Sequence, residues 1–579
     1  MKYEAQINAA FNRLGFVPRE GQREAVNQIL EAFIDEKKEN IVLCAPTGTG
    51  KSLIGAATAE ALSSILGKQD SAIKSSISLC STNLLLEQYA TTFHGLGDKG
   101  LYAILKGASN YECSAFTTET EDQTADNCGW FTMLQNQREF GGVMAKHCDP
   151  CAYLGVKRKK NLVRHLTTNY SYFFIDRLYS GRFEERDLII WDEAHLINDL
   201  FAEHNAVHFS QKRLQTMQKE ITDVIKLPDT KLMKTLAQIA ADSIIPDKIN
   251  IENYDAYLRA LHEIYKELQS ESRGLAERAL ITGNTALYSK ANRFAKKYEG
   301  LGCKIDDLFK LGYPHVLDNR PEEGEVTVKP IFVGKMMGAL KCAPHNLFMS
   351  ATVTPEFMSR TLDLDPETTK FIKLPPTFPK ENKEIVFFDT LGLSYTTLKD
   401  EKVVNQLCKN VIKVVRHHIE QGQRGIIITP SFKLQSEIVA ALNKDDSRHS
   451  YELFDQRQGE KLAVVTDAFK KHSKGSAVLI SPSLWEGVDL PGDLSEFQII
   501  VKAPFGSLGD KRVKWILNHA PEVYSAQTIM KIIQGAGRSV RSSTDRATTY
   551  ILDKSAEKLF SSKQNVWVDE FNLRFTRFL

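Results

Sequence analysis

Ile41-Val42-Leu43-Cys44-Ala45-Pro46-Thr47-Gly48-Thr49-Gly50-Lys51-Ser52 is the stretch on which the fold turns. An apolar run enters a glycine-bearing loop, and the loop opens onto an Ala-rich apolar segment, Leu53-Ile54-Gly55-Ala56-Ala57. Strand, glycine loop and helix in that order read as a phosphate-binding loop, with Ala45 where the first glycine usually stands. Around Thr47, Gly48, Thr49 and Gly50 the backbone N–H groups are free to curl toward phosphate oxygens, at a helix N-terminus that favours anions. Lys51 would neutralise the β/γ-phosphates of ATP, and Ser52 would hold Mg²⁺. A bland glycine turn with a chance Lys-Ser is the alternative, and the strand before and helix after speak against it.

Outward from that loop, further short apolar runs recur: Leu188-Ile189-Ile190-Trp191, Asn346-Leu347-Phe348-Met349, Gly425-Ile426-Ile427-Ile428, Ala477-Val478-Leu479-Ile480 and Gln498-Ile499-Ile500-Val501. Runs of this length fit strands buried on both faces, as in parallel sheets, and the helical patterns between them predict an α/β fold. They form two groups, before about 200 and after about 345. Between the groups, Leu214, Met217, Ile221, Val224 and Ile225 keep helical spacing, as do Tyr254, Tyr257, Leu258, Leu261, Ile264, Tyr265 and Leu268. That span is expected to be a helical insertion with few strands.

Asp192-Glu193-Ala194-His195 closes the Leu188 strand, where α/β sheets place their ligand groups. Asp192 suits Mg²⁺ coordination, and Glu193 suits polarising an attacking water. Gln534-Gly535-Ala536-Gly537-Arg538-Ser539-Val540-Arg541 sets two arginines three apart, on one helical face. Such guanidinium groups can reach a γ-phosphate across a cleft and stabilise transition-state charge.

Taken in order, these motifs resemble superfamily-two helicases, and specifically the XPD/DinG branch. Thr82-Asn83-Leu84-Leu85-Leu86-Glu87-Gln88 looks like motif Ia, which contacts the DNA backbone. Leu105-Lys106-Gly107-Ala108-Ser109-Asn110-Tyr111-Glu112-Cys113 is similar to the branch's entry to an iron–sulfur domain, and Thr168-Asn169-Tyr170 to the segment ahead of the DEAH box. Ser350-Ala351-Thr352 resembles motif III, and Trp485-Glu486-Gly487-Val488-Asp489 resembles motif V. The resemblance implies adenine contacts from Arg19 and Gln22, nucleotide or Mg²⁺ contacts from Gly487 and Asp489, and catalytic roles for His195, Gln534, Arg538 and Arg541. The Pro-rich stretch that follows motif V in the branch is reduced here to Pro504-Phe505-Gly506-Ser507.

It also implies a division of the chain: 1–104, the start of a first RecA-like domain; 105–165, an iron–sulfur cluster domain; 166–204, the first domain continued through the DEAH box; 205–345, a helical Arch-like insertion; 346–385, the end of the first domain; and 386–579, a second RecA-like domain.

Cys113, Cys128, Cys148 and Cys151 stand with 14, 19 and 2 residues between them. Four thiolates in such a set bind Zn²⁺ or a [4Fe–4S] cluster, and the spacing leaves both open. Tyr153 after the last cysteine resembles the branch's pattern and turns the reading to a [4Fe–4S] cluster, with Zn²⁺ as the alternative occupant. The other five cysteines are scattered and read as packing residues.

The net charge of the 579 residues is only +2, so a nucleic-acid site has to come from local patches. Lys157-Arg158-Lys159-Lys160 and Lys511-Arg512-Val513-Lys514 are such patches, and Lys157, Arg158, Lys159, Lys511 and Arg512 are candidate phosphate contacts beside Thr82, Asn83 and Gln88. Solvated surface is the alternative for each. Neither a signal peptide nor a membrane span is legible, which suits a cytoplasmic, nucleoid-associated protein, and the compact chain suits a phage or bacterial one.

The expectation is a monomeric motor on single-stranded and forked DNA that moves 5′-to-3′, the direction resting on the resemblance alone. A DNA-stimulated ATPase that remodels protein–DNA complexes without unwinding is the nearest rival. A non-catalytic scaffold is more distant, and Lys51, Glu193 and Arg541 argue against it.

Overall fold

The computed structural model describes residues 1–46, 48–67, 75–93, 96, 100–112, 151–160, 162–180, 183, 185–225, 231–245, 248–311, 314–388, 390–485, 490, 492–540, 542–560 and 571–576. Its strands run β1 (Asn40–Cys44), β2 (Ser76–Cys80), β3 (Tyr102–Leu105), β4 (His165–Asn169), β5 (Leu188–Asp192), β6 (Val207–Ser210), β7 (His315–Arg320), β8 (Glu325–Pro330), β9 (His345–Ser350) and β10 (Thr369–Lys373). They continue as β11 (Lys383–Phe388), β12 (Gly425–Ile428), β13 (Tyr451–Asp455), β14 (Ser476–Ser481), β15 (Phe497–Ile500), β16 (Ala547–Ile551) and β17 (Asn572–Thr576).

Two seven-stranded sheets carry the fold, in the orders β10-β1-β9-β5-β2-β4-β3 and β13-β14-β12-β15-β16-β11-β17. All pairs in both are parallel. Strands β1, β2 and β5 are buried along their whole length, as helices on both faces require. The two α/β layers expected from the sequence are therefore present. At the centre of the first sheet, β1, β9 and β5 are neighbours, so the phosphate loop, Ser350-Ala351-Thr352 and the DEAH residues leave the sheet side by side at its C-terminal edge.

Between β5 and β9 the helical spacing holds: Leu214, Met217, Leu258, Leu261 and Leu268 are buried. The helices Tyr254–Ile281 and Thr285–Leu311 pack as a long hairpin across a turn in which Gly283 takes φ +68°. The few strands of the span, β6, β8 and β7, pair as an antiparallel sheet. The side chains of β8 alternate between half-buried and buried, the period-two pattern of a sheet with one face on a core. Among the described residues, no helix is long and apolar enough to cross a membrane.

Candidate functional site

The phosphate loop is braced from outside itself. Gly48 and Gly50 take φ +84° and +78°, conformations open to glycine at no steric cost. A methyl group at Gly50 would also lie 2.5 Å from Gln22 Nε2. That amide donates to the Thr49 carbonyl at 2.8 Å, while its Oε1 accepts the Arg19 N–H at 3.0 Å. Arg19 Nη1 donates to the Gly48 carbonyl at 3.0 Å. Arg19 and Gln22, expected at adenine, both grip the backbone of the glycine loop. Thr47 lies outside the described residues.

Phe378 is a neighbour the sequence did not announce. It lies on the passage between the two sheets, and a methyl group at Gly48 would come within 2.4 Å of its ring. The ring packs with Val540 and Ala547 of the second domain.

Asp192, Glu193 and His195 divide the work at the end of β5. The Asp192 carboxylate accepts from Tyr89 Oη at 3.1 Å and from the Glu193 N–H at 3.0 Å, and the Asp192 carbonyl accepts from Tyr170 Oη at 2.7 Å. Burial and the charge of Glu193 raise the carboxyl, Lys51 and the hydrogen bonds it accepts pull it back, and together they leave it at about 6. A buried carboxylate with that bias has the donor chemistry to receive a divalent cation. Glu193 takes φ +49°, a left-handed conformation that is costly outside glycine and recurs at functional sites. This turn sets its carboxylate 3.7 Å from Lys51 Nζ and 3.4 Å from His195 Nδ1.

His195 joins the two domains. Its Nε2 accepts from Gln534 Nε2 at 2.9 Å, which leaves Nδ1 as the donor to Ser350 Oγ at 2.9 Å. Ser350 Oγ also accepts the Thr352 N–H at 3.3 Å, and Gln534 Nε2 lies 3.4 Å from Thr352 Oγ1. The DEAH box, Ser350-Ala351-Thr352 and the helix Pro521–Ala536 thus share one hydrogen-bond network. Arg538 is buried and donates to the Trp485 carbonyl, which joins the arginine segment to the start of the motif V stretch. Gly487, Asp489 and Arg541 lie outside the described residues.

A second contact between the domains was not read from the sequence. Arg512 Nη1 donates to Asp199 Oδ1 at 2.8 Å, and its Nε donates to the carbonyls of Pro330 and Ile331 at 2.9 and 3.1 Å. Gln527 Nε2 donates to Asp199 Oδ2 at 3.1 Å. Arg512 was expected at a DNA phosphate; here it is buried, and burial this deep requires such partners. Lys511 beside it is exposed.

The remaining DNA candidates lie on or beside the helices Asn83–Thr92 and Ala152–Lys159. Thr82 caps the helix Asn83–Thr92 through the Leu85 N–H, and Asn83 and Gln88 are exposed. Arg158 and Lys159 are exposed on the helix Ala152–Lys159, and Lys157 lies over the Tyr153 ring. Lys160 is buried against Asp176 at 3.1 Å. Lys157 opens into a cavity of about 1090 Å³ between this helix, the first domain and the long helical hairpin. Lys212, Arg213, Lys296 and Lys304 line it together with Tyr172 and Tyr265.

Cys113, Cys128 and Cys148 lie outside the described residues. Cys151 is described and immediately precedes the helix Ala152–Lys159. The two ends of the cysteine-bearing segment come together, with the Tyr111 and Tyr153 rings 5.2 Å apart.

Comparison with known proteins agrees with this geometry. Residues 414–567 match the helicase C-terminal domain family, and residues 15–226 match the family described as type III restriction enzyme, res subunit. The ATP-dependent DNA helicase YoaA of Escherichia coli is 22% identical over 93% of this chain and 92% of its own. The ATP-dependent DNA helicase DinG of Photobacterium profundum is 24% identical over 41% of this chain and 36% of its own. A solved XPD helicase superposes with a TM-score of 0.59 at 15% identity, covering 97% of this chain and all of that one, and so shares its fold. By its motifs, its two parallel sheets and these matches, the chain is similar to the XPD/DinG-like branch of superfamily-two helicases.

Proposed function

We propose that this chain is an ATP-dependent DNA helicase that translocates on single-stranded DNA and separates duplex or displaced-strand structures. The observation that carries the reading is the bond from Gln534 to His195, which puts a side chain of the second domain on the DEAH box of the first. An ATP site so divided makes the cleft's closure depend on the nucleotide. Lys51 binds the β/γ-phosphates, Ser52 and Asp192 would hold Mg²⁺, and Glu193 polarises the attacking water. Mg²⁺, when bound, supplies charge that offsets what builds on the phosphates. Arg538 and Arg541 would answer the γ-phosphate from the second domain.

The basic, aromatic-lined cavity beside the helix Ala152–Lys159 has the chemistry to take a single strand by its phosphates and stack its bases, without sequence readout. The cysteine segment, whose last cysteine, Cys151, immediately precedes this helix, is read as holding a [4Fe–4S] cluster. The 5′-to-3′ direction rests on the family resemblance.

The test is strand displacement on matched duplexes with a 5′ tail, a 3′ tail or a fork. ATP-dependent release from 5′-tailed and forked substrates is expected. DNA-stimulated hydrolysis with no release from any naked duplex would instead favour a translocase that remodels protein–DNA complexes. Release from 3′ tails alone would reverse the direction.

A further inference from the structure

Asp192 is held from two sides by tyrosines, Tyr89 and Tyr170, the second of them in the Thr168-Asn169-Tyr170 segment. Tyr89 lies on the helix Asn83–Thr92, fully buried, and its hydroxyl donates to Asp192 Oδ2 at 3.1 Å. Tyr170 begins the helix Tyr170–Ile175 and donates to the Asp192 carbonyl at 2.7 Å. Both tyrosines are buried in the apolar core, where a hydroxyl needs a partner, and both have found the same residue. With Oδ1 taken by the Glu193 N–H, the plane of the carboxylate is fixed.

The outer ends of the same two elements meet at the surface. Asn169 Nδ2 donates to Asn83 Oδ1 at 3.0 Å, and Asn83 Nδ2 donates to Asn110 Oδ1 at 2.9 Å. Asn169 also caps its own helix, through the Tyr172 N–H at 2.8 Å. The first segment therefore shows an exposed asparagine, Asn83, where a strand is expected, and a tyrosine hydroxyl on the Asp192 carboxylate; the second shows the half-buried Asn169 and a tyrosine hydroxyl on the Asp192 main-chain carbonyl.

We infer that Tyr89 and Tyr170 are positioning residues that set the Asp192 carboxylate to receive a divalent cation, and that through the Asn83–Asn169 bond they let a strand bound at the surface alter that setting. This rests on the proposed function. Asn83 and Tyr89 stand on one helix, and Asn169 and Tyr170 are consecutive residues, so a shift at either asparagine has little slack to absorb it before the tyrosine moves. Linkage then requires the cation and the strand to change each other's affinity by one factor.

The test uses the full chain with Tyr89→Phe and Tyr170→Phe, which keep the rings and remove only the hydroxyls. Mn²⁺ is the probe, titrated by electron paramagnetic resonance in the presence of a non-hydrolysable ATP analogue, with and without oligo(dT). Tyr89→Phe is expected to weaken Mn²⁺ binding about tenfold, as loss of a bond to a charged acceptor does. Its affinity for the analogue without divalent cation should stay within about twofold. Tyr170→Phe should show a smaller loss in the same direction.

In wild type, oligo(dT) should change the Mn²⁺ affinity several-fold, and that change should shrink in both variants. Unchanged Mn²⁺ affinity in folded Tyr89→Phe overturns the positioning role. Weakened affinity with an undiminished response to oligo(dT) overturns the coupling. A wild-type chain with no DNA-stimulated hydrolysis would strike at the proposed function instead, so the two failures are told apart.

Discussion

Gln534 Nε2 stands 2.9 Å from His195 Nε2, a hydrogen bond between the last turn of a helix in the second domain and the DEAH box of the first. His195 passes it on to Ser350 Oγ, so the domain interface, the DEAH box and Ser350-Ala351-Thr352 are one bonded unit. Motion of the second domain cannot leave the nucleotide site untouched.

Gln534→Ala removes the bond without adding charge or bulk. Hydrolysis stimulated by DNA is expected to fall about ten- to a hundredfold, with ATP affinity changed less than about threefold, because the contact belongs to the closed cleft. Steady-state kinetics and a fluorescent-ATP titration read the two numbers. Equal losses in both would place Gln534 in ground-state binding.

Lys51→Ala and Glu193→Gln should separate binding from chemistry. Lys51 carries the main charge on the phosphates, so its loss should nearly abolish hydrolysis and weaken ATP. Glu193→Gln keeps the turn and the volume but lacks the anion that polarises water. It should bind ATP normally and lose about two or more orders of magnitude in rate. Matched losses of affinity in the two variants would remove the general-base role from Glu193.

Acid should unfold the first domain through Glu60. This buried carboxylate is raised by desolvation, and His165 at 2.5 Å, Arg164 and Arg13 more than reverse that, bringing it down to about 2 from 4.5. The unfolded chain therefore takes up the proton first. The stabilisation, about 3 kcal/mol, is complete above about pH 4.5 and is lost as pH falls toward 2. Thermal unfolding followed from pH 7 to pH 3 should show a steep fall in midpoint below pH 4.5, and Glu60→Gln should start lower and fall less. A variant with the wild-type profile would mean that other carboxylates set the acid limit.

What the sequence made legible is what depends on neighbours along the chain. Gly48, Gly50 and Lys51 declare a phosphate loop because a helix N-terminus and two positive φ values need those residue types at that spacing. The strands with long apolar runs were equally plain. Strand β8 was not, because Val326 and Val328 alternate with Glu325 and Thr327 over too few residues to stand out inside a helical span. Tyr170 was legible only as part of Thr168-Asn169-Tyr170, and Tyr89, Phe378 and Asp199 not at all, for another reason. Their partners, Asp192, Gly48 and Arg512, are brought to them only by the order of strands and by the meeting of the two domains. A buried tyrosine looks like core until its hydroxyl is seen to have found a carboxylate. The helical phase of Tyr89, three residues beyond the buried Leu86, pointed inward but named no partner.

The cysteine cluster is open to the simplest measurement. Protein purified without oxygen should be yellow-brown, because iron–sulfur charge transfer absorbs visible light and d¹⁰ zinc does not. Iron and acid-labile sulfide should each approach about four per chain, as four thiolates holding a [4Fe–4S] cluster require. Cys113→Ser, Cys128→Ser, Cys148→Ser and Cys151→Ser should each lose or loosen it. Cys303→Ser should not, since Cys303 lies on the long helix Thr285–Leu311, far along the chain from the other four. The Tyr111–Tyr153 contact closes the base of the cysteine segment on the first domain, away from the phosphate loop in sequence. Cluster loss should therefore cost strand separation more than ATP hydrolysis without DNA. Colourless protein holding one tightly bound zinc would replace the cluster with a zinc staple and leave the motor assignment, which rests on Lys51, Asp192 and Gln534, where it stands.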